Sequence, residues 1–137
     1  MGFGYIVSDG GNVVIEKWAG RISHAEFIDH EKEQLQDQSI AEGARVVVDA
    51  RQAVFPEATP EGAHEFARIF SEPKSMAKFS RFALLVVGEN WEKAKVLERE
   101  LGKFGKRLIT FNDLSTACTW LGVDTKSVLE NLERIGI

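Results

Sequence analysis

The sequence is poor in cysteine. Cys118 is the sole cysteine among 137 residues, so the chain cannot form an intramolecular disulfide, which is typical of proteins from a reducing compartment. It lies in an apolar stretch with no cationic neighbour in sequence that would lower the pKa of its thiol. We therefore expect Cys118 to be a core residue rather than a nucleophile.

Long apolar runs and excess positive charge are also missing. No run approaches the ~20 apolar residues that a membrane-spanning helix needs, and residues 1–6 lack the segments of a signal peptide. The formal net charge is -4, which gives no electrostatic reason to expect nucleic acid or an anionic membrane as a partner. The sequence therefore predicts a cytoplasmic protein that does not insert into membranes.

Signatures of metal and nucleotide sites are absent as well. The three histidines, His24, His30 and His64, do not have the spacing of a zinc site. The glycines form neither Gly-x-Gly-x-x-Gly nor Gly-Lys-Ser/Thr. We expect solvated or half-buried histidines, no bound metal and no cofactor.

The sequence does contain strand signals at regular intervals. Residues 5–8 and 13–18 flank a glycine-rich turn and predict an antiparallel hairpin. The segments 44–49, 82–88 and 107–111 are nearly continuous apolar runs, which are typical of strands buried in a parallel sheet. The sequence thus predicts about five strands, by this pattern of runs.

Helix-start signals alternate with these strands. Each is a Ser, Thr, Asn or Asp placed before an apolar stripe, as in a capping box or a Thr-Pro start. They are Ser23, Thr59, Asn90, Asp113 and Asp124.

The combined order predicts an α/β fold with helices packed on a mixed, mostly parallel sheet. We expect one domain over 1–137, with a core at about 4–122 and an additional C-terminal helix at 123–137 that packs on its own domain or on a second copy. The segments 50–58 and 73–80 are expected to be loops.

Several local motifs resemble the bacterial STAS-like proteins related to the sporulation anti-sigma-factor antagonist, the SpoIIAA-like proteins. The matching segments are 18–23, 46–51 and 109–113, with Ala117 and 120–121. They are mainly core and cap positions, so they argue for fold better than for function. The resemblance implies a STAS/SpoIIAA-like sheet and a regulatory module without chemistry of its own.

The resemblance also points to one switch position. In the sporulation antagonist, a serine at the start of the helix after the central strand is phosphorylated, and this controls partner binding. Ala58 stands at that position here, and Thr59 carries the nearest hydroxyl. Thr59 is therefore the candidate modification or switch residue.

Polar residues follow three of the predicted parallel strands. Open parallel sheets bind ligands beyond the carboxyl ends of their strands, which makes these residues a candidate recognition edge. The alternative is structural, with the Asn and Asp side chains capping helices and an Asp–Arg pair holding a loop. The six residues are Asp49, Arg51, Glu89, Asn90, Asn112 and Asp113.

An apolar loop lies next to this edge. Val54, Phe55 and Pro56 either tuck beneath the loop or form an exposed contact patch. The first outcome is structural. The second indicates a partner protein or an apolar ligand.

Three functions from different classes fit these observations. The leading one is a non-enzymatic regulatory module that binds a protein partner, as part of a homodimer or other homo-oligomer. The second is a small-ligand or lipid carrier related in architecture to CRAL-TRIO domains, which requires an apolar cavity. The third is an enzyme that uses carboxylates such as Asp49 and Glu89, which requires a cleft holding a perturbed acid.

Overall fold

Five strands form one mixed sheet in the order β1-β2-β3-β4-β5. The computed structural model describes residues 2–137, and Met1, which the predicted domain also includes, lies outside the described residues. β1 and β2 are antiparallel, whereas β2, β3, β4 and β5 are parallel to one another. The strands are β1 (Phe3–Ser8), β2 (Val13–Arg21), β3 (Ala44–Val54), β4 (Phe79–Leu85) and β5 (Leu108–Phe111).

Helices connect the parallel strands and follow the last one. A short 3-10 turn at Asp9–Gly11 joins β1 to β2. Among residues 2–137, no helix is both long and apolar enough to cross a bilayer. The α-helices are α1 (His24–Leu35), α2 (Pro60–Ile69), α3 (Pro73–Lys78), α4 (Asn90–Lys103), α5 (Leu114–Leu121) and α6 (Thr125–Arg134).

Four of the five predicted helix starts are confirmed by their cap hydrogen bonds. Ser23 and Glu26 form a reciprocal capping box at α1, as the Ser-x-x-Glu spacing requires. Thr59 caps α2, Asp113 caps α5 and Asp124 caps α6, each accepting a backbone N–H three residues later. Local sequence therefore defines where these helices begin.

Helices cover both faces of the sheet. In β3, Val46 and Val48 face one core, which is shared with α1, α2 and α4. Val47 faces the opposite core, which is shared with α5 and α6 and contains Cys118. The thiol is fully buried, as predicted, and burial raises its pKa. α6 contributes Val128 to the same core, so the C-terminal helix packs on its own domain.

The predicted loop at 50–58 is partly wrong. β3 continues to Val54 because β2 also continues, and Ala19–Arg21 pair with Gln52–Val54 beyond a bulge in β3. The extra pairs place the end of β3 beside α4, where the Ala53 carbonyl oxygen accepts a hydrogen bond from Asn90.

The predicted loop at 73–80 is also wrong. Pro73 occupies the first turn of α3, a position that its fixed φ and missing N–H suit. Phe79 is buried and begins β4 three residues earlier than the apolar run at 82–88 predicts.

Candidate functional site

At the carboxyl edge of the sheet, Asp49 and Arg51 form a bidentate ion pair. Arg51 Nε donates to Asp49 Oδ1 at 3.0 Å, and Arg51 Nη2 donates to Asp49 Oδ2 at 3.0 Å. This hydrogen bonding raises the pKa of Arg51, and the charge of Asp113 adds to the effect. The edge therefore holds Asp49, Arg51 and Asp113 in one electrostatic group.

Asp113 also has a local role at this edge, and two further members of the predicted recognition edge face solvent. Asp113 Oδ2 accepts the N–H of Thr116 at 2.8 Å, which confirms a capping role for this residue. Glu89 and Asn112 are both exposed. Recognition of a ligand or partner by these side chains stays a prediction.

Asn90 does not cap α4, contrary to the prediction. Glu89 precedes the helix in a helical conformation, so Asn90 lies inside the first turn and its side chain points inward. Its Nδ2 donates to the carbonyl oxygen of Ala53 at 2.8 Å. Asn90 is 6% exposed and ties the start of α4 to the end of β3.

The apolar loop after β3 is divided between the interior and the surface. Phe55 is half-buried, and its ring meets that of Trp18 edge to face at a centroid distance of 6.0 Å. Lys93 Nζ donates to the Phe55 carbonyl oxygen at 3.0 Å. Val54 and Pro56 are exposed. Phe55 therefore packs against the interior, while Val54 and Pro56 face solvent.

A cavity of about 240 Å³ lies beside this loop, between the sheet and helices α1, α2 and α4. It reaches the surface, because exposed residues at the start of α2 form part of its wall. Apolar side chains form most of the wall: Trp18, Ile22, Phe27, Phe55, Ala58, Pro60, Ala63, Leu84, Val86, Ala94, Val96 and Leu97. The polar wall residues are Ser23, His24, Thr59, Asn90, Glu92 and Lys93.

Three helix N-termini converge on this cavity. Residues from the first turns of α1, α2 and α4 all contribute to its wall, so the positive dipole ends of three helices lie close to the same space. A carboxylate already uses one of them, because Glu57 accepts the His24 N–H at 3.2 Å. The opening is therefore polar and the interior apolar, a division typical of small-molecule sites.

A second polar group is buried under α1, and the sequence analysis did not identify it. His30 Nε2 lies 2.7 Å from Glu16 Oε1 and 4.0 Å from Glu31 Oε2. The predicted half-buried state of His30 is wrong, since the residue is 7% exposed. Phe3 stacks on its ring at 4.1 Å, and this packing excludes solvent.

Burial and charge set the ionisation of this group. Burial raises the pKa of Glu31 to about 8, with a further contribution from the charge of Glu16. Burial also acts to lower the pKa of His30, but the hydrogen bond to Glu16 and the charges of nearby glutamates together outweigh it, and the pKa is raised. Burial lowers the pKa of nearby Lys106 to about 8, and its ammonium donates to the Ser75 carbonyl at 3.0 Å.

A smaller cavity of about 30 Å³ lies on the same face of the sheet as the larger one. Glu31 and Lys106 form part of its wall. It shares Trp18 and Phe27 with the larger cavity. The buried polar group and the apolar cavity therefore lie on the same face of the sheet, separated by aromatic side chains.

The alternation of inward- and outward-facing residues along β2 indicates that Glu16 belongs to a buried polar group. Side chains two apart in a strand face the same side, which places Glu16 on the face of Val14 and Trp18, both buried. A charged residue at such a position is rarely found without a partner.

No family model matches the chain, and no curated protein matches its sequence. Among solved structures it is similar to an uncharacterised protein of the DUF3478 family with a SpoIIAA-like fold, from Shewanella loihica PV-4. The likeness has a TM-score of 0.55 at 16% identity and covers 88% of this chain and 94% of that chain. At this identity it is evidence for fold and not for function. The chain therefore has a SpoIIAA-like fold, which confirms the architecture that its sequence motifs implied.

Proposed function

We propose that this protein is a non-enzymatic binding module that holds a small, mostly apolar ligand in the cavity at the carboxyl edge of its sheet. The observation that carries the proposal is the cavity itself, about 240 Å³ with a largely apolar wall. Its volume lies between the ~150 Å³ cavity that binds benzene and the roughly 300 Å³ at which drug-sized pockets begin.

The polar residues at the opening suggest how such a ligand is oriented. His24, Thr59 and Lys93 line the cavity, and all three lie at or near helix N-termini, where partial positive charge collects. A ligand with an apolar body and one polar or anionic end complements both the apolar interior and the polar opening of the cavity. The apolar body then contacts Trp18 and Phe27.

Binding without catalysis is part of the proposal. Asp49, one carboxylate of the enzyme hypothesis, is held by two hydrogen bonds from Arg51. Neither Asp49 nor Glu89 is among the described residues that line the cavity. An acid that is engaged elsewhere and lies outside the cleft is poorly placed for general acid–base work on a bound molecule.

The indole N–H groups provide a direct test. Trp18 lines the cavity, whereas Trp120 lies on α5 beside the opposite core. We expect 2-naphthol, added to ¹⁵N-labelled protein, to shift the indole signal of Trp18 in a saturable manner and to leave that of Trp120 in place. Equal small shifts of both signals, or none, would count against a site in the cavity.

A matched pair of variants separates cavity binding from surface binding. Ala63 is half-buried in the cavity wall, so Ala63→Phe places a ring in the space that the ligand would occupy. Ala77 is exposed on α3, so Ala77→Phe adds the same ring to the surface. We expect Ala63→Phe to abolish the Trp18 shift and Ala77→Phe to retain it.

A protein partner at the same edge is the second candidate, with a homodimer as its simplest form. Val54 and Val87 are 36% and 44% exposed; Val54 ends β3 and Val87 follows the neighbouring strand β4 at the carboxyl edge. Exposed apolar side chains at a site edge favour contact with another chain. Sedimentation velocity tests the homodimer: we expect a concentration-dependent dimer that the Val54→Ser/Val87→Ser double variant weakens, and a strictly monomeric wild type would contradict it.

A further inference from the structure

Glu16, His30 and Glu31 form a cluster with metal-ligating atoms, apart from the cavity described above. One ligand atom from each residue lies within 4.8 Å of those from the other two. The three residues are 0%, 7% and 7% exposed, respectively. Exposed acidic groups commonly meet without binding an ion, but here the carboxylates are removed from water.

Several buried polar atoms in and near this cluster have no hydrogen-bond partner among the described residues. Within residues 2–137, Glu16 Oε2 and Glu31 Oε2 have no hydrogen-bond partner. The same holds for both amide atoms of Gln34, which is fully buried and lies one helical turn beyond His30 on α1. Buried polar atoms are nearly always satisfied, so orphaned ones indicate a bound ion or water.

The charge balance favours an ion. Glu16 and Glu31 carry two negative charges when ionised, and a protonated His30 compensates one of them. The charge of Lys106 acts on Glu31, but its ammonium donates its hydrogen bond to the Ser75 carbonyl and lies 5.6 Å and 5.4 Å from the ring centroids of Phe79 and Phe82. A divalent cation, with His30 neutral, neutralises both carboxylates at once.

The ligand types indicate the class of metal. One imidazole nitrogen and two carboxylate oxygens form a mixed set that suits Zn²⁺ among the common divalent ions. The ligand orientations are also supported. Trp18 Nε1 donates to Glu16 Oε1 at 2.9 Å, and Phe3 stacks on the His30 ring at 4.1 Å; partners of this kind orient metal ligands in known sites.

We propose that Glu16, His30 and Glu31 bind a divalent transition-metal ion, Zn²⁺ by preference, that joins α1 to β2. Binding replaces the direct contact between His30 and Glu16 by two bonds to the metal and releases any proton held on the imidazole. Water from the small cavity beside Glu31 provides the remaining ligand. The sequence showed no zinc spacing because the ligands come from a strand and a helix.

The test is a titration of the full chain, first stripped with a chelator, with ZnCl₂ by isothermal calorimetry. We expect one zinc per chain and a higher melting temperature for the zinc-bound form. The same titration with CoCl₂ gives a visible spectrum that reports a nitrogen and oxygen ligand set. A wild type that binds neither metal stoichiometrically overturns the proposal.

The three histidines allow a clean set of variants. The His24→Gln/His64→Gln double variant keeps only His30 and is expected to bind zinc as the wild type does. Glu31→Gln and His30→Gln are expected to weaken binding by more than the roughly 10–100-fold that loss of an outer hydrogen-bond partner costs. Zinc binding that disappears in the double variant, or survives in a folded Glu31→Gln protein, places the metal on the surface and overturns the proposal.

Discussion

The indole nitrogen of Trp18 donates a 2.9 Å hydrogen bond to Glu16 Oε1, while the ring of the same residue forms part of the wall of the apolar cavity. Trp18 therefore contacts both polar and apolar regions of the site. A ligand that displaces this ring changes the hydrogen bonding of Glu16. Occupancy of the cavity and the state of the buried carboxylates are thus physically connected.

Removal of this donor should destabilise the fold. Trp18→Phe keeps an aromatic ring but leaves Glu16 without its indole partner, and we expect the free energy of unfolding to fall by roughly 1.5–3 kcal/mol, the range for a hydrogen bond to a charged group. Urea denaturation followed by circular dichroism measures the change.

Trp120→Phe is the matched control. Trp120 is half-buried on the opposite face, where Arg81 lies 5.3 Å from its ring centroid. A smaller loss, about 1 kcal/mol or less, is expected for this more exposed residue. Equal losses in the two variants would mean that the bond to Glu16 adds little stability.

The elements that depend on local chemistry could be predicted from the sequence. Ser23, Thr59 and Asp124 cap their helices as expected, because a cap requires only a side-chain oxygen within three residues of an orphan N–H. The apolar run around Val47 likewise predicted a central strand, because such a strand is covered on both faces.

The features that depend on distant residues could not be predicted. The role of Asn90 is fixed by the Ala53 carbonyl, 37 positions away in the sequence, whereas the sequence offered only a helix cap or a place on the recognition edge. The cluster of Glu16 and His30 requires β2 and α1 to pack face to face. The cavity depends on how closely helices α1, α2 and α4 approach one another, which no residue pattern specifies.

The buried amide of Asn90 should contribute more than the exposed amide of Asn112. Asn90→Ala removes the bond to Ala53 and leaves that carbonyl without the donor, for an expected loss of about 1–3 kcal/mol. Asn112→Ala lies at an exposed position and is expected to change stability by about 0.5 kcal/mol or less. Thermal and urea unfolding measure both. If Asn112→Ala also leaves 2-naphthol and partner binding intact, Asn112 is not part of the recognition edge.

The attachment of β5 to α4 should depend on pH through Glu98. Its Oε1 accepts the Thr110 N–H at 2.7 Å, and its Oε2 accepts from Lys95 at 3.0 Å. Burial acts to raise the pKa of Glu98, but the bonds from Thr110 and Lys95 outweigh it and the pKa is lowered. This stabilisation is therefore present above the unfolded pKa of about 4.3 and is lost as the pH falls through the folded value.

The Glu98→Gln variant tests this pH dependence of stability. The variant is expected to be less stable than the wild type by about 1 kcal/mol at pH 7, because it loses a charge-assisted bond. The difference should shrink below about pH 4, where the wild-type carboxylate becomes protonated. Glu130→Gln, at an exposed position of α6, serves as the control. A difference that stays constant from neutral to acid pH would contradict the assigned role of the carboxylate.

Two glycines near helix ends should respond to alanine with opposite signs. Gly102 lies within α4, and an added Cβ meets no atom within 4 Å. Gly102→Ala is therefore expected to stabilise the protein by roughly 0.5–1 kcal/mol, through higher helix propensity and a less flexible unfolded chain. Gly122 ends α5 at φ +72°, so Gly122→Ala is expected to cost roughly 1–2 kcal/mol of left-handed strain.

The surroundings of Gly122 leave this sign unchanged, because an added Cβ makes only an ordinary van der Waals contact with a flexible side chain. An added Cβ lies 3.4 Å from Arg45 Nη1, which donates to the Leu121 and Gly122 carbonyls at 2.9 Å and 3.1 Å. The substitution therefore strains the backbone at the point where Arg45 holds the end of α5 against β3. Urea denaturation of both variants measures the two effects, and a stabilised Gly122→Ala protein would mean that α5 ends without the left-handed turn.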